Sequence, residues 1–174
     1  MQANAGTVST ATSQDENQLL AYTDGSARNG IGGWAVVFVW NGEVIMRWSG
    51  FVPGPATNNI AELYAIQQVV YSFNELNVPK ITIYSDSEYA IKSLTIWINS
   101  WRRSGWINSK GEPVANREII EPLADQLAHL GPKVSLRWVA GHSGNPFNEE
   151  ADRLANQART QQVWTGLWSS KWSP

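Results

Sequence analysis

The sequence contains no cysteine, which excludes disulfide bonds, thiolate metal ligands and a cysteine nucleophile. Apolar runs are also short, and none approaches the roughly 18–20 residues that a membrane-spanning helix needs. The N-terminus lacks the apolar core of a signal peptide. Charged residues make up 16% of the chain and hydrophobic residues 43%, a balance typical of a globular domain rather than a disordered or fibrous protein. We therefore expect a cytoplasmic protein without a membrane segment.

The length of 174 residues suits one compact domain, and no internal repeat or second domain is visible. Residues 1–17 are small and polar without periodicity, so we expect a disordered extension. We expect the folded domain over residues 18–160 and a separate tail over residues 161–174. Tryptophans recur every fourth residue in this tail, at Trp164, Trp168 and Trp172. We favour docking of the tail on the domain, and the alternative is a peptide that binds a partner or stacks on bases.

Period-two patterns and turn residues predict five strands. They cover residues 19–23, 32–40, 43–51, 80–85 and 134–139. Asn41-Gly42 between the second and third strands is a strong hairpin signal. The first three strands should therefore pair in antiparallel fashion.

Helical periodicity begins at Thr57, and a second helix is expected from Ser87 to about residue 94. Ser85 and Glu88 have the spacing of a capping box at the start of that helix. A third helix is expected over residues 116–130, where Pro122 implies a late start or a kink. Asn145 is the expected cap of the last helix. This order of elements predicts an α/β three-layer domain with a five-stranded mixed sheet, three antiparallel strands followed by parallel ones.

Four carboxylates lie either at the ends of predicted strands or on predicted helices. Asp24 and Asp86 are expected at strand ends, whereas Glu62 and Asp152 are expected on helices. Acids gathered around one point repel each other, and a divalent cation relieves that repulsion. Hard oxygen ligands suit Mg²⁺ or Mn²⁺. The leading hypothesis from these residues is two-metal cleavage of a phosphodiester.

The segment 97–117 differs from the rest of this acidic protein. It carries four basic residues against one acid, and it also contains three tryptophans. Basic side chains interleaved with aromatic ones suit a polyanion that offers flat surfaces, such as a nucleic acid. The alternative is a solvated basic loop whose tryptophans pack inward.

Several phrases of the sequence resemble those of type 1 ribonuclease H. They are Tyr-Thr-Asp-Gly-Ser at 22–26, Thr-Asn-Asn-Ile-Ala-Glu-Leu at 57–63, Ser-Asp-Ser at 85–87, and the run from Val139 to Asp152 with its Gly-His-x-Gly core. The resemblance extends over about residues 19–158. It implies a ribonuclease H-like fold and an endonuclease that cuts the RNA strand of RNA–DNA hybrids, leaving 5′-phosphate and 3′-hydroxyl ends.

The resemblance also implies roles for individual residues. Asp24, Glu62, Asp86 and Asp152 would be the catalytic acids that hold two Mg²⁺ ions, with Mn²⁺ as a possible substitute and Asp24 bridging both ions. His142 would be the histidine of a mobile loop that shuttles protons or assists product release. A neutral imidazole near pH 7 suits that role.

Substrate contacts are implied at three places. Thr57, Asn58 and Asn59 would contact a DNA-strand phosphate and RNA 2′-hydroxyls, and Asn29 is a weaker candidate of the same kind. In the basic protrusion, about residues 97–117, the candidates are Trp101, Arg102 and Arg103. Glu88 occupies a position where relatives often carry glutamine, so we assign it only the capping role.

Two other functions compete with this one. One is a non-catalytic module that binds RNA–DNA hybrids, and the other is a transposase-like or integrase-like nuclease of the same superfamily. The complete set of acids opposes the first alternative, and the Thr-Asn-Asn and Gly-His-x-Gly motifs oppose the second. We expect a monomer.

Overall fold

The computed structural model describes residues 17–161 and the backbone of residues 165–167. The strands in this part of the chain are β1 (Leu19–Arg28), β2 (Ile31–Trp40), β3 (Glu43–Val52), β4 (Ile81–Ser85), β5 (Val134–Trp138) and β6 (Thr165–Leu167). The helices are α1 (Asn58–Tyr71), α2 (Phe73–Leu76), α3 (Glu88–Lys92), α4 (Ile98–Arg103), α5 (Arg117–Leu130) and α6 (Pro146–Gln161). Nearly all of the expected N-terminal extension lies outside the described residues.

The strands form one mixed sheet in the order β5-β4-β1-β2-β3-β6. Strands β1, β2 and β3 pair in antiparallel fashion, while β4 pairs in parallel with β1 and with β5. The predicted five-stranded mixed sheet is therefore confirmed. The short strand β6 extends it by pairing antiparallel with β3. This pairing agrees with docking of the tail at residues 165–167, whereas Trp164, Trp168 and Trp172 lie outside the described residues.

Asparagine–glycine pairs make both tight turns of the antiparallel part. Asn41 and Gly42 have φ values of 48° and 80°, as the predicted hairpin requires. Asn29 and Gly30, with φ values of 54° and 78°, make the same kind of turn between β1 and β2. Positive φ at both central residues matches the right-handed twist of the flanking strands. These two turns set the register of the three strands.

Helices cover both faces of the sheet and give the three predicted layers. The larger apolar core lies beneath α1 and α5 and includes Leu63, Ile66 and Leu123, all without solvent exposure. The smaller core lies beneath α6, where Ala151 meets residues of β1 and β2. Because β2 lies between both layers, its residues from Gly32 to Val39 are all buried. The sheet is therefore a rigid support for the acidic side chains on β1 and after β4.

The start of α3 differs from the sequence prediction. Ser87, not Ser85, is the N-cap, and its hydroxyl accepts a hydrogen bond from the Ala90 N–H at 3.1 Å. Ser85 is still part of β4 and is fully buried, so its side chain cannot form the predicted capping box with Glu88. Glu88 instead forms an ion pair with Lys92 one turn later.

Two further helices depart from their predicted limits. A π-helical turn, Ser93–Trp97, continues α3 into α4, so the helical segment reaches Arg103 and not residue 94. Helix α5 begins at Arg117 and runs through Pro122, so of the two expected consequences of this proline, a late start or a kink, the late start is wrong. Proline removes a single backbone donor, and Ile120, Leu123 and Ala124 on either side of it are buried in the core.

Candidate active site

Asp24 lies inside β1 and not at its end, because antiparallel pairing with β2 continues as far as Arg28. The parallel pairing of β1 with β4, by contrast, stops at Thr23 and Ser85. Asp24 and Asp86 are the next residues on the two strands. They emerge side by side where the parallel part of the sheet ends, the usual location of ligand sites in open α/β sheets. The prediction that two adjacent strands present these acids is thus confirmed, although the strand limit was wrong.

A third acid reaches the same point from α1. One carboxylate oxygen from each of Asp24, Glu62 and Asp86 lies within 4.8 Å of the other two. Gly25 makes this approach possible, because a β-carbon there would lie 2.2 Å from the Ala61 carbonyl carbon and the Glu62 nitrogen. No side chain fits in that space. Helix α1 therefore packs directly on the backbone of β1 and places Glu62 next to Asp24.

Asp152 joins the group from the opposite face of the sheet. It lies on α6, which Asn145 caps by accepting hydrogen bonds from the N–H groups of Phe147 and Asn148. The charge of Asp152 acts on Asp24 and contributes to its raised pKa. Asp152 lies outside the set of three acids whose oxygens are mutually close, and Asn156 donates to its carboxylate at 3.2 Å.

Burial and mutual repulsion change the protonation of this group. Asp24 is only 3% exposed, and burial together with the charges of Asp86 and Asp152 raises its pKa to about 8, despite a hydrogen bond from Glu62 that lowers it. Burial also raises the pKa of Glu62 well above its usual value, and the charge of Asp24 adds to this effect. Near neutral pH the metal-free group therefore retains protons that a bound cation would displace.

The donor atoms fit a hard divalent cation. All the ligands on offer are carboxylate oxygens, the type that Mg²⁺ and Mn²⁺ prefer. Within the described part of the chain, Oε2 of Glu62 is buried and has no hydrogen-bond partner. A buried carboxylate oxygen without a partner is costly unless a cation or another donor reaches it. The three acids can hold a metal ion.

His142 lies on the loop between β5 and α6, and this loop contacts the acids. A β-carbon on Gly141 would lie 2.7 Å from Oδ2 of Asp86, so the loop backbone passes directly over that carboxylate. His142 itself is exposed and has a left-handed backbone with φ of 52°. The Ser143 hydroxyl donates to the Ala140 carbonyl across the base of the loop. The structure therefore brings the predicted histidine to the rim of the acidic group.

The predicted phosphate-binding residues meet at one place. Thr57 caps α1 by accepting from the Ile60 N–H at 3.2 Å, and Oδ1 of Asn58 accepts from the Ala27 N–H at 2.7 Å. The nearby turn at Asn29 is joined to the start of α1 through a bond from the Ala56 N–H to the Gly30 carbonyl. The candidate residues of this region are exposed: Asn29, Thr57, Asn58 and Asn59. Their grouping at a helix N-terminus is a suitable environment for a phosphate.

The basic protrusion uses its aromatic residues mainly for its own structure. Trp101 is half-buried against the core and lies between the rings of Trp97 and Trp106, with centroids about 6 Å away on each side. The inward packing considered from the sequence thus applies to Trp101. Arg102 forms an ion pair with Asp125. Within residues 17–161, Arg103 has no ion-pair partner, so it is the more available cation.

Comparison with known proteins assigns a family to this arrangement. The family model described as RNase H matches residues 16–160. A ribonuclease H from Paracidovorax citrulli is 41% identical over 144 residues, which cover 81% of this chain and 93% of that protein. A ribonuclease HI from Streptomyces coelicolor is 38% identical over 84% of this chain and 64% of the relative. The chain belongs to the RNase H family.

Solved structures agree with this RNase H assignment. LC9-RNase H1, described as a type 1 RNase H with the type 2 active-site motif, superposes with a TM-score of 0.72 at 25% identity, over 90% of this chain and 79% of that one. LC11-RNase H1, solved in complex with an RNA/DNA hybrid, has a TM-score of 0.61 over 83% of this chain and 98% of its own. Because the two chains are only 20% identical, this superposition shows a shared fold and nothing further. The chain is a type 1 ribonuclease H by family.

Among the residues that sequence reasoning missed at this RNase H site is Trp138. The indole N–H of Trp138 donates to the Asp86 carbonyl at 3.2 Å and so fixes the backbone that carries this acid. Trp138 is paired with Ser85 in the parallel ladder between β4 and β5. The contact depends on strand register, and the sequence carries no local signal for it.

In the described residues, no helix combines the length and apolarity required to cross a membrane.

Proposed function

We propose that this RNase H hydrolyses the RNA strand of RNA–DNA hybrids by two-metal catalysis with Mg²⁺, leaving 5′-phosphate and 3′-hydroxyl ends. The observation that carries the proposal is the set of three carboxylates within 4.8 Å, including the partnerless buried oxygen of Glu62, on an RNase H fold. Related structures have been solved with RNA/DNA hybrids, which supports this substrate class. The 2′-hydroxyl is the group by which a protein distinguishes RNA from DNA.

Asp24, Glu62, Asp86 and Asp152 would hold the metal ions, and Mn²⁺ would serve in place of Mg²⁺. When bound, such ions activate water and stabilise charge on the attacking and leaving oxygens. Asp24 has the most central position, since its neighbours include all three other acids. Burial of this side chain excludes bulk water from one side of the site and strengthens its interaction with a cation.

The remaining residues of the site would act on the substrate. His142, exposed at the rim, would exchange protons with solvent or assist release of the product. The start of α1, with Thr57, Asn58 and Asn59, would bind a phosphate together with the turn at Asn29. In the protrusion, Arg102 and Arg103 would contact the nucleic-acid backbone, and the half-buried Trp101 would contact the nucleic acid beside them.

Three other expectations remain predictions. The catalytic unit is predicted to cover residues 18–160, with the protrusion at about 97–117. The protein is predicted to be a monomer and to work in the cytoplasm. Gel filtration with light scattering tests the monomeric state, and a fluorescent fusion at the native level of expression tests the location in the cytoplasm.

An end-labelled RNA–DNA hybrid tests the proposed function, with double-stranded RNA, double-stranded DNA and single-stranded RNA as controls. Each substrate is assayed with Mg²⁺, with Mn²⁺ and with chelator. Asp86→Asn removes one ligand of the acidic group, and Glu75→Gln removes an exposed carboxylate of α2 as the matched control. We expect RNA cleavage of the hybrid alone, abolished by chelator and Asp86→Asn but not by Glu75→Gln.

Two outcomes would contradict the proposal. Tight binding of the hybrid without cleavage in either metal would support the non-catalytic binding module instead. Cleavage of double-stranded DNA would support a nuclease of the transposase or integrase type. Digestion of the labelled products with a phosphatase and a ligase assay then tests the identity of the 5′ and 3′ ends.

A further inference from the structure

Asp152 is held by a side chain one helical turn farther along α6. The Asn156 Nδ2 group donates to Oδ1 of Asp152 at 3.2 Å and to its backbone carbonyl at 3.0 Å. Asp152 also interacts with Asp24, through a hydrogen bond when Asp24 carries its proton and through repulsion when both groups are ionised. In the ionised state this repulsion favours rotamers of Asp152 that point away from the acidic group, and the bond from Asn156 opposes that rotation.

Asn156 is in turn held by two residues on its other side. The Ser26 hydroxyl lies 2.7 Å from Oδ1 of Asn156, and the Arg159 Nε lies 3.0 Å from the Ser26 hydroxyl. A second guanidinium nitrogen, Nη2 of Arg159, lies 3.4 Å from the same amide oxygen. Four side chains from β1 and α6 thus form one connected network that ends at a catalytic acid.

The chemistry of the two ends decides the direction of every bond in this network. Arginine can only donate hydrogen bonds, and an ionised carboxylate can only accept them. The Ser26 hydroxyl must therefore accept from Arg159 and donate to Asn156, and the Asn156 amide must present its oxygen to Ser26 and its NH₂ to Asp152. Every donor points from the cation towards Asp152, an arrangement in which neighbouring bonds polarise and strengthen one another.

Close packing of α6 on β2 makes the network possible. Ser26 is directly opposite Gly33 in the β1–β2 pair. A β-carbon on Gly33 would lie 2.3 Å from the Ala155 carbonyl oxygen and 2.4 Å from the Arg159 nitrogen. Because glycine leaves this space empty, the helix backbone lies against the strand and Ser26 reaches the side chain of Asn156.

The guanidinium group of Arg159 is available to donate hydrogen bonds to Ser26 and Asn156. Between residues 17 and 161, no acidic side chain lies within ion-pair distance of its guanidinium group. Its charge is therefore transmitted to the site through Ser26 and Asn156. An outer residue that orients a metal ligand commonly changes metal affinity or activity by 10- to 100-fold when it is removed.

We propose that Asn156, oriented by Ser26 and Arg159, is a positioning residue that keeps Asp152 turned towards the other three acids. The inference rests on the proposed function, since it assigns a role to the partners of Asp152 in that metal site. A network that only stabilised α6 would affect unfolding but not the properties of the folded site.

The test compares Asn156→Ala with Gln157→Ala, its exposed neighbour on α6, whose polar contacts are with Arg153 and Gln161 on the helix surface. Calorimetric titration of the nucleic-acid-free protein with Mn²⁺ measures metal affinity, and hybrid cleavage gives kcat and KM. We expect Asn156→Ala to weaken Mn²⁺ binding about 10-fold or more and to lower kcat with little change in KM. Arg159→Lys should retain more of the affinity than Arg159→Met.

A double mutant decides whether Asn156 acts through Asp152. In an Asp152→Asn background, Asn156→Ala should cause no further loss of Mn²⁺ affinity or kcat. Equal values for Asn156→Ala and Gln157→Ala, or an undiminished loss in that background, would overturn the inference. If the native protein binds Mn²⁺ but leaves the hybrid intact, the proposed function fails, while the calorimetric comparison still tests the network.

Discussion

Asp24→Asn should stabilise the metal-free protein at neutral pH. Burial and neighbouring charges raise the pKa of Asp24 to about 8 from an ordinary value of 3.8. A carboxyl group with a raised pKa contributes its full stability only below the unfolded-state pKa, and this contribution is lost as the pH rises through the folded-state pKa. The native protein without metal should therefore lose stability relative to Asp24→Asn between about pH 4 and pH 8.

The size of the effect follows from the same pKa. One pKa unit corresponds to about 1.4 kcal/mol, and pH 7 lies about three units above the ordinary value, so the cost at pH 7 is at most roughly 4 kcal/mol. Because Asp24 is only 3% exposed, solvent screens little of this cost. For a domain of this length, 1 kcal/mol shifts the melting temperature by about 2–4 °C. We expect a rise of several degrees.

Thermal and urea unfolding in chelator, at pH 4.5, 6, 7 and 8, measures this difference. The matched control is Asp125→Asn, which removes an exposed carboxylate in an ion pair with Arg102 and should change the free energy of unfolding by less than about 1 kcal/mol. Addition of Mg²⁺ should reduce the advantage of Asp24→Asn, because only the native acid group binds the ion. A variant no more stable than the native protein, or a gain independent of pH, would refute the reasoning.

Three further predictions concern two glycines in close contacts and the pair of arginines in the protrusion. Gly25→Ala should lower the free energy of unfolding by about 1–3 kcal/mol or more, since its β-carbon would collide with backbone atoms of α1, and it should also weaken Mn²⁺ binding. Gly141→Ala should leave the melting temperature nearly unchanged but lower kcat, because the new methyl group meets only the carboxylate of Asp86. Arg103→Gln should weaken hybrid binding and reduce its salt dependence by about one counterion, and Arg102→Gln should do so less because Arg102 is already paired.

Two of these predictions have a matched control variant, and all three have a result that would contradict them. Gly42→Ala adds a methyl group in open space at a positive φ, so it should cost only the backbone strain of about 1–2 kcal/mol. A melting temperature for Gly25→Ala equal to that of Gly42→Ala would oppose the packing account. Unchanged cleavage by Gly141→Ala would show that the loop moves away from Asp86. Equal salt slopes for the two arginine variants would show that the ion pair with Asp125 opens on binding.

Local patterns predicted most of the fold. The Asn41-Gly42 hairpin, the Asn145 cap and the helical stripe after Thr57 depend on interactions between residues near each other in the chain, and the structure confirms them. Errors arose where a long-range partner decided a boundary. Strand β1 continues past Thr23 because β2 pairs with it as far as Arg28. Ser85 was correctly placed in a strand but wrongly assigned as a cap, because its pairing beside β5 leaves Ser87 to cap α3.

The local settings of Glu62, Asp86 and Asp152 were readable in the sequence, whereas Asp24 was wrongly placed at the end of a strand. The distances between the acids were not readable, because residues far apart in the chain meet only after strand register and helix packing are established. Gly25 allows α1 to approach Asp24, and Gly33 allows α6 to bring Asn156 to Ser26 across 130 positions of sequence. A glycine in the sequence does not reveal which element packs against it. Tertiary packing alone decides which backbone occupies the space that each glycine leaves.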